Sequence, residues 1–411
     1  MGRDATGDGG FDPVDLPRHP RGYAEDLPVS GAWRPGDPEG DRRFVELAAE
    51  RPFVLEGGDV LSYITMAYET WGELSPAADN AILVCHALTG DAHAFGESGP
   101  GQPTPGWWNG VIGPGCGLDT DRYFLVCVNV LGGCQGSTGP SSTDPSTGSP
   151  YGSSFPTVTV RDIVRCQAVV ADHLGIQRWN SVVGGSMGGM QVLEWGAMFP
   201  ERVRSLAPLT TTLAASAQQI AWSAVGRTAL VTDPRFRGGD YYDAKSGEGP
   251  QAGLAVARAL AQVTYRSEEV FAARFGRDLV DPRHVYDLWD RFQVESYLDY
   301  HGEKLVRRFD ANSYLVLNRT MDLHDVSRGR GGRSNAVARI ATVPALTVSI
   351  SSDTLYPPYQ QVELREAIRI AGGRCDHHVI ESPDGHDGFL LATNEIGAHL
   401  GDFLGTLSDH G

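Results

Sequence analysis

The segment Gly-Gly-Ser-Met-Gly-Gly at residues 184–189 constrains the fold of this chain more than any other feature. It follows an apolar strand pattern over 179–183 and precedes a helical pattern over 190–198. A direct turn from strand into helix strains the backbone, and side chains on the glycines flanking Ser186 would collide with neighbouring main chain. A glycine-rich connection without chemistry is the alternative, but the strand and helix around it are typical of a nucleophile elbow. We therefore predict that the Ser186 hydroxyl is presented at the carboxyl end of a sheet.

Short apolar runs alternate with helical patterns along most of the chain. Strands are predicted over 81–85, 123–130, 179–183, 203–209, 345–350 and 377–380, and helices over 160–174, 190–198, 361–370 and 396–404. Such apolar runs are typical of parallel strands that are buried on both faces. The order of the elements predicts an α/β fold with a mostly parallel central sheet and helices on both faces.

The alternation stops after the strand over 203–209 and resumes only at 345–350, and the segment between them is mostly helical in pattern. Helices are predicted there over 254–260, 270–275 and 285–292. We therefore predict an α/β core formed by residues 46–213 and 335–411, interrupted by an inserted helical lid over 214–334.

Composition limits the classes of protein to consider. Hydrophobic residues make up 41% of the chain and charged residues 21%, which is enough apolar material for a sizeable core. The 34 Lys and Arg against 51 Asp and Glu give a net charge of −17, so we expect no nucleic-acid and no membrane partner. Residues 1–45 are rich in Gly, Asp, Pro and Arg without any apolar period, which predicts a disordered tail.

The sequence also bounds the compartment and the metal chemistry. It contains neither an apolar stretch of 18 residues nor a recognisable secretory signal, and we expect a cytoplasmic protein. The six cysteines show no CxxC spacing, so no metal site is predicted. Cys85 and Cys127 lie in apolar runs and are interpreted as buried thiols.

A serine nucleophile needs a base, and the base needs a carboxylate that orients it. Asp353 follows the predicted strand over 345–350, and His386 follows the strand over 377–380, in the chain order Ser, Asp, His that α/β-hydrolases use. Both lie just past strand ends, where open α/β sheets bind their ligands. An Asx turn is the alternative for Asp353, and the other histidines compete with His386. We predict that Ser186, Asp353 and His386 form a catalytic triad.

An acyl-transfer site also needs backbone donors for the oxyanion. One is expected to be the N–H of Met187, directly after the nucleophile at the start of its helix. The other is expected from the loop after the strand over 81–85, and we choose the N–H of Leu88. His86, in the same loop, is interpreted as a structural hydrogen-bonding residue rather than a catalytic one.

Several further segments, together with the elbow, resemble the homoserine O-acetyltransferase family. They are CHALTGDAH at 85–93, GWW at 106–108, IGPG at 112–115, NVLGGCQGSTGP at 129–140, SDTLYP at 352–357 and GHDGF at 385–389. The resemblance extends over about residues 53–405, and the combination is far more specific than the elbow alone.

This resemblance implies an α/β-hydrolase fold with a helical lid, and a homodimer. We expect the lid to supply much of the dimer contact. It implies that Ser186 takes an acetyl group from acetyl-CoA and passes it to the side-chain hydroxyl of L-homoserine, a step of methionine biosynthesis. Acetyl-CoA would be a co-substrate, and no permanently bound cofactor is expected. We also expect the lid to exclude water from the acyl-enzyme.

The resemblance further implies two contacts with the acceptor. Arg258 matches the lid arginine that binds the substrate carboxylate, and Asp387 matches the aspartate that binds its ammonium group. A solvated helix face is the alternative for Arg258, with Arg266 as its nearest rival. A loop-stabilising carboxylate is the alternative for Asp387.

Three interpretations remain open from the sequence. The first is acetyl transfer to homoserine, with a succinyl donor or a serine acceptor as variants within the family. The second is a serine esterase or thioesterase that uses the same triad with water as the acceptor. The third is a non-catalytic binding protein, which the intact triad disfavours, while Arg258 and Asp387 disfavour the second.

Overall fold

The structure, a computed structural model, describes residues 26–47, 52–286 and 289–408. Its strands are β1 (Arg43–Leu47), β2 (Phe53–Val54), β3 (Val60–Leu61), β4 (Ile64–Trp71), β5 (Ala81–Cys85), β6 (Ile112–Gly113), β7 (Leu118–Asp119), β8 (Phe124–Val128), β9 (Ser181–Gly185), β10 (Leu206–Leu209), β11 (Ala345–Ile350) and β12 (Cys375–Ile380). Its α-helices are α1 (Val160–His173), α2 (Met187–Met198), α3 (Ala217–Val231), α4 (Gln251–Tyr265), α5 (Glu268–Phe275), α6 (Gln293–Val306), α7 (Ala311–Asp322), α8 (Arg333–Ile340), α9 (Pro358–Ile370), α10 (Gly388–Leu391) and α11 (Thr393–Ser408).

The central sheet has eight strands in the described residues, in the order β1-β4-β8-β5-β9-β10-β11-β12. Only β4 runs antiparallel to its neighbours; from β8 to β12 every adjacent pair is parallel. The mostly parallel sheet predicted from the sequence is therefore confirmed. In parallel sheets the carboxyl ends of the strands meet at one edge, which is where the loops after β5, β9, β11 and β12 emerge.

Successive residues of each strand face opposite layers of the molecule. In β5, Leu83 and Cys85 pack into the layer covered by α1, α2, α8 and α9, whereas Ile82 and Val84 pack into the layer that contains α11. All four side chains are fully buried. Because each buried aliphatic side chain stabilises the fold by roughly 1.5–3 kcal/mol, the two layers fix the strand register firmly.

The helical insertion lies between β10 and β11 and contains α3 to α7, with short irregular segments between them. The predicted boundary at residue 334 falls inside α8, which packs on α2 and α9 and belongs to the core. The helix predicted over 285–292 is wrong at its C-terminal end, because Phe292 pairs with Leu279 in a β-bridge. Helix α6 begins only at the next residue.

The predicted disordered tail over residues 1–45 needs correction for its second part, while residues 1–25 lie outside the described residues. Leu27 is fully buried, and the N–H of Gly31 donates to the carbonyl of Phe309 at 3.1 Å. Strand β1 then pairs with β4 along the edge of the sheet. These contacts use isolated apolar residues and long-range main-chain bonds, neither of which produces a sequence period.

Candidate active site

Ser186 lies on the strained turn between β9 and α2. Its φ of 58° and ψ of −124° are unfavourable for a residue with a side chain, so the surrounding packing must hold this conformation. A Cβ atom at Gly188 would lie 2.1 Å from the carbonyl oxygen of Cys85, which explains why glycine follows the serine so closely. The strand, strained serine and helix have the geometry of a nucleophile elbow.

Asp353 and His386 are joined by a hydrogen bond of 2.7 Å between the aspartate Oδ2 and the histidine Nδ1. The other oxygen, Oδ1, accepts the backbone N–H groups of Leu355 at 2.9 Å and Tyr356 at 2.8 Å. Asp353 therefore makes both the Asx-type turn and the contact with histidine, each with a different oxygen. The carboxylate favours the tautomer with the proton on Nδ1 and leaves Nε2 as the basic atom.

His386 is 3% exposed and lies in a short 3-10 turn, Gly385–Asp387. Its Nε2 is buried and has no hydrogen-bond partner among the described residues. Aromatic rings pack around the imidazole, with centroids at 5.0 Å for Tyr356 and 5.3 Å for Phe389. An unpartnered basic nitrogen in an apolar setting is suited to taking a proton from a neighbouring hydroxyl.

The same two aromatic residues also reach the elbow, which brings Ser186 and His386 to one place. The hydroxyl of Tyr356 interacts with the Ser186 side chain, and burial raises the pKa of that phenol. The ring of Phe389 packs so closely on Gly185 that a Cβ there would lie 2.4 Å from a ring carbon. The structure therefore gathers the predicted serine, aspartate and histidine at the carboxyl edge of the sheet.

The two predicted oxyanion donors belong to adjoining segments. Met187 is the first residue of α2, so its N–H has no carbonyl one turn earlier in the helix. Leu88 follows β5 in a turn closed by the N–H of Gly90, which donates to the carbonyl of Ala87 at 2.9 Å. Because Gly188 packs against the carbonyl of Cys85, the start of α2 lies directly beside this loop.

His86 has the hydrogen bonds of a structural residue, as interpreted from the sequence. Its Nδ1 lies 2.8 Å from the carbonyl of Ala87, and the N–H of Val130 donates to Nε2 at 3.1 Å. Both contacts suit a neutral ring with its proton on Nδ1, and burial lowers the pKa of His86 further. The histidine therefore shapes the loop and has no spare nitrogen for catalysis.

Arg258 and Asp387 both lie near Tyr265. The guanidinium carbon of Arg258 is 5.3 Å from the ring centroid, and the charges of both residues act on the Tyr265 hydroxyl. Tyr265 in turn packs on His386, with centroids 5.9 Å apart. The predicted acceptor contacts are thus close to the predicted base.

The structure separates Arg258 from its rival Arg266. Arg266 forms an ion pair with Asp387, with 3.2 Å between Nε and Oδ2, and a longer one of 3.6 Å with Asp384. Arg258 is half-buried and forms no ion pair with any carboxylate of the described residues. Arg266 is therefore held by the loop of His386, whereas Arg258 contacts the ring of Tyr265.

A cavity lies beneath the helical insertion and ends at Leu88 and Tyr356, beside Ser186. Its walls come from α3, α4 and α7, and all of its lining residues are uncharged. The aromatic and apolar lining includes Trp222, Leu260 and Tyr314. The insertion therefore supplies most of the wall of a cavity that ends beside Ser186.

The six cysteines are free thiols, and burial raises the pKa of Cys85 and of Cys127 far from neutral pH. One group of potential metal ligands occurs in the described residues, formed by Asp41, Glu69 and His93. Both ring nitrogens of His93 contact acceptors, Oε2 of Glu69 at 2.9 Å and the carbonyl of Glu97 at 3.1 Å. Those contacts occupy the ring as a hydrogen-bond donor, so it does not fit a metal ligand.

Two site residues were missed by the sequence analysis, Tyr265 and Tyr356. Both line the cavity and pack on the imidazole of His386. Tyr356 lies three residues after Asp353, and that spacing was the only available signal. An aromatic residue next to a predicted triad member is more often part of the core, so the spacing alone predicts no role.

Comparison with known proteins agrees with this geometry. The family described as alpha/beta hydrolase fold matches residues 80–393. Homoserine O-acetyltransferase of Thermobifida fusca is 53% identical over 378 residues, which cover 92% of this chain and 97% of that protein. The chain therefore has the α/β-hydrolase fold, as the sheet and the elbow indicate. Within that class it belongs to the homoserine O-acetyltransferase family.

Solved structures show the same likeness at lower identity. A homoserine O-acetyltransferase from Bacillus anthracis superposes with a TM-score of 0.81 at 25% identity, covering 88% of this chain and 97% of that chain. The structure of esterase E22 superposes with a TM-score of 0.81 at 26% identity, covering 88% of this chain and 99% of the esterase chain. The fold thus occurs in both a transferase and an esterase. No helix in the described part of this chain combines the length and apolarity needed to cross a membrane.

Proposed function

We propose that this protein transfers the acetyl group of acetyl-CoA to the side-chain hydroxyl of L-homoserine, giving O-acetyl-L-homoserine and CoA for methionine biosynthesis. The observation that carries the proposal is the buried Nε2 of His386, which has no hydrogen-bond partner among the described residues, while Tyr356 packs on its ring and interacts with the Ser186 side chain. The 53% identity to a homoserine O-acetyltransferase over 92% of the chain supports the choice of reaction.

In the first half-reaction, Ser186 Oγ attacks the thioester carbonyl carbon while His386 Nε2 takes the serine proton. Asp353 holds the imidazole through Nδ1 and stabilises the positive charge that forms. The backbone N–H groups of Leu88 and Met187 stabilise the oxyanion, aided by the positive end of the α2 dipole. The C–S bond then breaks, the thiolate of CoA receives the proton from His386, and acetyl-Ser186 remains.

In the second half-reaction, homoserine binds with its carboxylate at Arg258 and its ammonium group at Asp387. Arg266 orients the Asp387 carboxylate through their ion pair. His386 then takes the proton of the homoserine hydroxyl, the hydroxyl oxygen attacks the acetyl carbonyl, and Ser186 recovers a proton as it leaves. The reaction is therefore ping-pong, and no permanently bound cofactor takes part in it.

The uncharged cavity supports acetyl rather than succinyl as the acyl group. A succinyl donor carries a second carboxylate, which would lose hydration against this lining, in which every residue is uncharged. An acetyl group adds only a methyl, which the apolar lining accommodates. The acceptor contacts at Arg258 and Asp387 likewise favour a free amino acid over water or a simple alcohol.

The helical insertion supports transfer over hydrolysis. Water at about 55 M in the bulk liquid competes for the acyl-enzyme, so transfer requires a covered site or a well-placed acceptor. Helices α3, α4 and α7 cover the cavity. A serine esterase or thioesterase remains the competing function, because esterase E22 shares the fold.

A homodimer through the lid and a cytoplasmic location complete the proposal. Four valines of α3 and α4 are about half exposed, Val225 at 58%, Val231 at 49%, Val256 at 50% and Val263 at 48%, which suits an interface between two copies. The six free thiols suit a reducing compartment. Light scattering of the protein and of Val256→Glu would show whether these helices form the dimer.

Thiol release with purified protein tests the reaction. Acetyl-CoA with homoserine should release CoA rapidly and yield O-acetylhomoserine. Little product should form when succinyl-CoA replaces acetyl-CoA, or when serine or water replaces homoserine. The matched Ser186→Ala variant should be inactive and should gain no acetyl mass from acetyl-CoA. Equal CoA release with and without homoserine would instead establish a thioesterase.

A further inference from the structure

The turn that carries Leu88 is attached to the helical insertion by one side chain, that of Arg308. Its Nη1 donates to the carbonyl of Thr89 at 2.7 Å, and its Nη2 donates to Oδ2 of Asp91 at 2.7 Å. Arg308 follows α6, more than 200 residues later in the chain than the turn. A guanidinium that binds two acceptors at once fixes orientation as well as distance.

The backbone of Arg308 is held as firmly as its side chain. Its carbonyl accepts the side-chain N–H of Gln135 at 2.6 Å, and its own N–H donates to the carbonyl of Leu305 at 3.0 Å. The Oε1 of Gln135 accepts Nη2 of Arg42 at 3.2 Å, which links the pair to the start of β1. Both the backbone and the guanidinium of Arg308 are therefore held by hydrogen bonds, and we call this residue the anchor of the turn.

The ion pair between Arg308 and Asp91 stabilises a buried negative charge. The carboxylate is buried, which raises its pKa, but the positive charges of Arg308 and Arg42 outweigh burial and hold that pKa below its usual value. Its Oδ1 accepts the N–H of His93 at 2.9 Å, so the carboxylate also fixes the chain after the turn. Without Arg308, a buried negative charge would lose its nearest partner within three residues of the oxyanion donor.

The geometry of the turn shows why the anchor matters for Leu88. The N–H of Gly90 donates to the carbonyl of Ala87, so Leu88 and Thr89 are the two central residues of the turn. A hydrogen bond to the Thr89 carbonyl fixes the peptide that closes the turn. The direction of the Leu88 N–H depends on the same backbone dihedral angles.

We infer that Arg308 is a positioning residue that holds the Leu88 N–H in the oxyanion hole from the helical insertion. The inference rests on the proposed function, because it takes the oxyanion to form at Ser186. It predicts an effect on both half-reactions, since each passes through a tetrahedral oxyanion. It predicts little effect on acceptor binding, because Arg308 is absent from the cavity lining.

The test compares Arg308→Ala and Arg308→Lys with Arg307→Ala. Arg307 is the matched control, because it adjoins Arg308 but is 45% exposed and, among the described residues, forms ion pairs only with Glu303 and Asp26. Arg308→Ala should slow both acetylation of Ser186 and transfer to homoserine by about 10- to 100-fold, with the homoserine KM within about twofold of the parent. Arg308→Lys should lose about 3- to 10-fold, because lysine keeps the charge without the paired geometry.

A short alkylboronic acid separates positioning from general damage. Ser186 oxygen adds to boron, His386 receives the serine proton, and a boron-bound oxygen enters the oxyanion hole. Its Kd should rise in Arg308→Ala by the same factor as the acetylation rate falls, and should be unchanged in Arg307→Ala. A folded Arg308→Ala with the Kd and acetylation rate of the control would overturn the inference.

If thermal melting shows that Arg308→Ala does not fold, Arg308→Lys decides the matter by the same two measurements. Parent-like Kd and rates in that variant would overturn the inference. Ser186→Ala separates this inference from the proposed function. Activity that survives in Ser186→Ala would reject the proposed function itself, whereas an inactive Ser186→Ala beside control-like Arg308 variants would reject the Arg308 inference alone.

Discussion

The α/β core positions its functional residues by main-chain geometry, whereas the helical insertion positions them by side-chain packing. In the core, Ser186 is fixed by a strained turn and Asp353 by two backbone N–H groups. In the insertion, Arg258 is placed against an aromatic ring, and Arg308 reaches the core through its guanidinium. Under the proposed function, the core supports the chemistry, and the insertion selects the acceptor and completes the site.

If this division is correct, a core residue that only orients another group should still cause a very large loss, second only to that of the nucleophile itself. Asp353→Asn should lower turnover by about 10⁴-fold with the fold intact, because the amide favours the wrong tautomer of His386. Steady-state turnover and circular dichroism of the variant would check this. Asp376→Asn is the matched control, because Asp376 is a partly exposed β12 residue paired with Arg374, and its turnover should equal that of the parent. A loss of less than about tenfold in Asp353→Asn would show that main-chain geometry alone orients the imidazole.

A substitution in the insertion should weaken binding of the acceptor and leave the acetylation of Ser186 unchanged. Arg258→Ala should weaken homoserine recognition by about 2–4 kcal/mol, or roughly 30- to 1000-fold in KM, because a charge-assisted pair loses one partner. The acetylation of Ser186 by acetyl-CoA alone should continue near its normal rate, as followed by mass spectrometry of the intact protein. Arg258→Lys should recover only part of the loss. A collapse of acetylation in Arg258→Ala would move this arginine from the acceptor to the donor site.

Two glycines, one in the core and one in the insertion, test whether the core is packed more tightly than the insertion. In the core, Gly188→Ala should destabilise the protein by about 1–3 kcal/mol or more, because its Cβ would lie 2.1 Å from a backbone oxygen. In the insertion, Gly226→Ala should raise stability by about 0.5–1 kcal/mol, because the nearest atom to its Cβ lies 3.9 Å away and alanine favours a helix. Denaturant unfolding of both variants gives the two free energies. Equal effects would mean that the two regions are packed alike.

The same division decides how much of the molecule could be predicted from the sequence. The strands over 81–85 and 345–350 were predicted with the bounds that the structure has, because apolar runs between polar turns identify buried parallel strands. The juxtaposition of Asp353 and His386 followed from strand ends at one edge. In the insertion, a helix was predicted over 285–292, yet Phe292 pairs with Leu279 in a β-bridge, Tyr286 is 98% exposed and Trp289 56%.

The long-range contacts could not be predicted. The bond from Arg308 to Thr89 joins segments with no shared pattern, and nothing in local sequence distinguishes Arg308 from Arg307. The same is true of Leu27, whose burial depends on where the insertion happens to lie. The spacing of apolar residues predicts which face of a helix or strand is buried. It carries no information about a side chain that bridges two elements.

The smallest expected effect is a difference in the pH dependence of stability between two histidines, one in each region. Burial disfavours the charged form of His93, but its hydrogen bond and ion pair with Glu69 outweigh this and raise its pKa. Burial dominates at His324 and lowers its pKa, despite the opposing charge of Glu194. The two residues therefore contribute to stability in opposite pH ranges.

The sign for each follows from which state binds more protons. The folded state holds the His93 proton more tightly, so its contribution is complete below the unfolded pKa of about 6.5 and is lost as pH rises through the raised folded value. His324 is neutral when folded, so its contribution is present above about pH 6.5 and falls away as pH drops toward the lowered folded value. Denaturant unfolding between pH 5 and 8 should show that His93→Gln costs most at low pH and His324→Gln most at high pH. The same slope in both variants would contradict the assignment of a charged histidine to the core and a neutral one to the insertion.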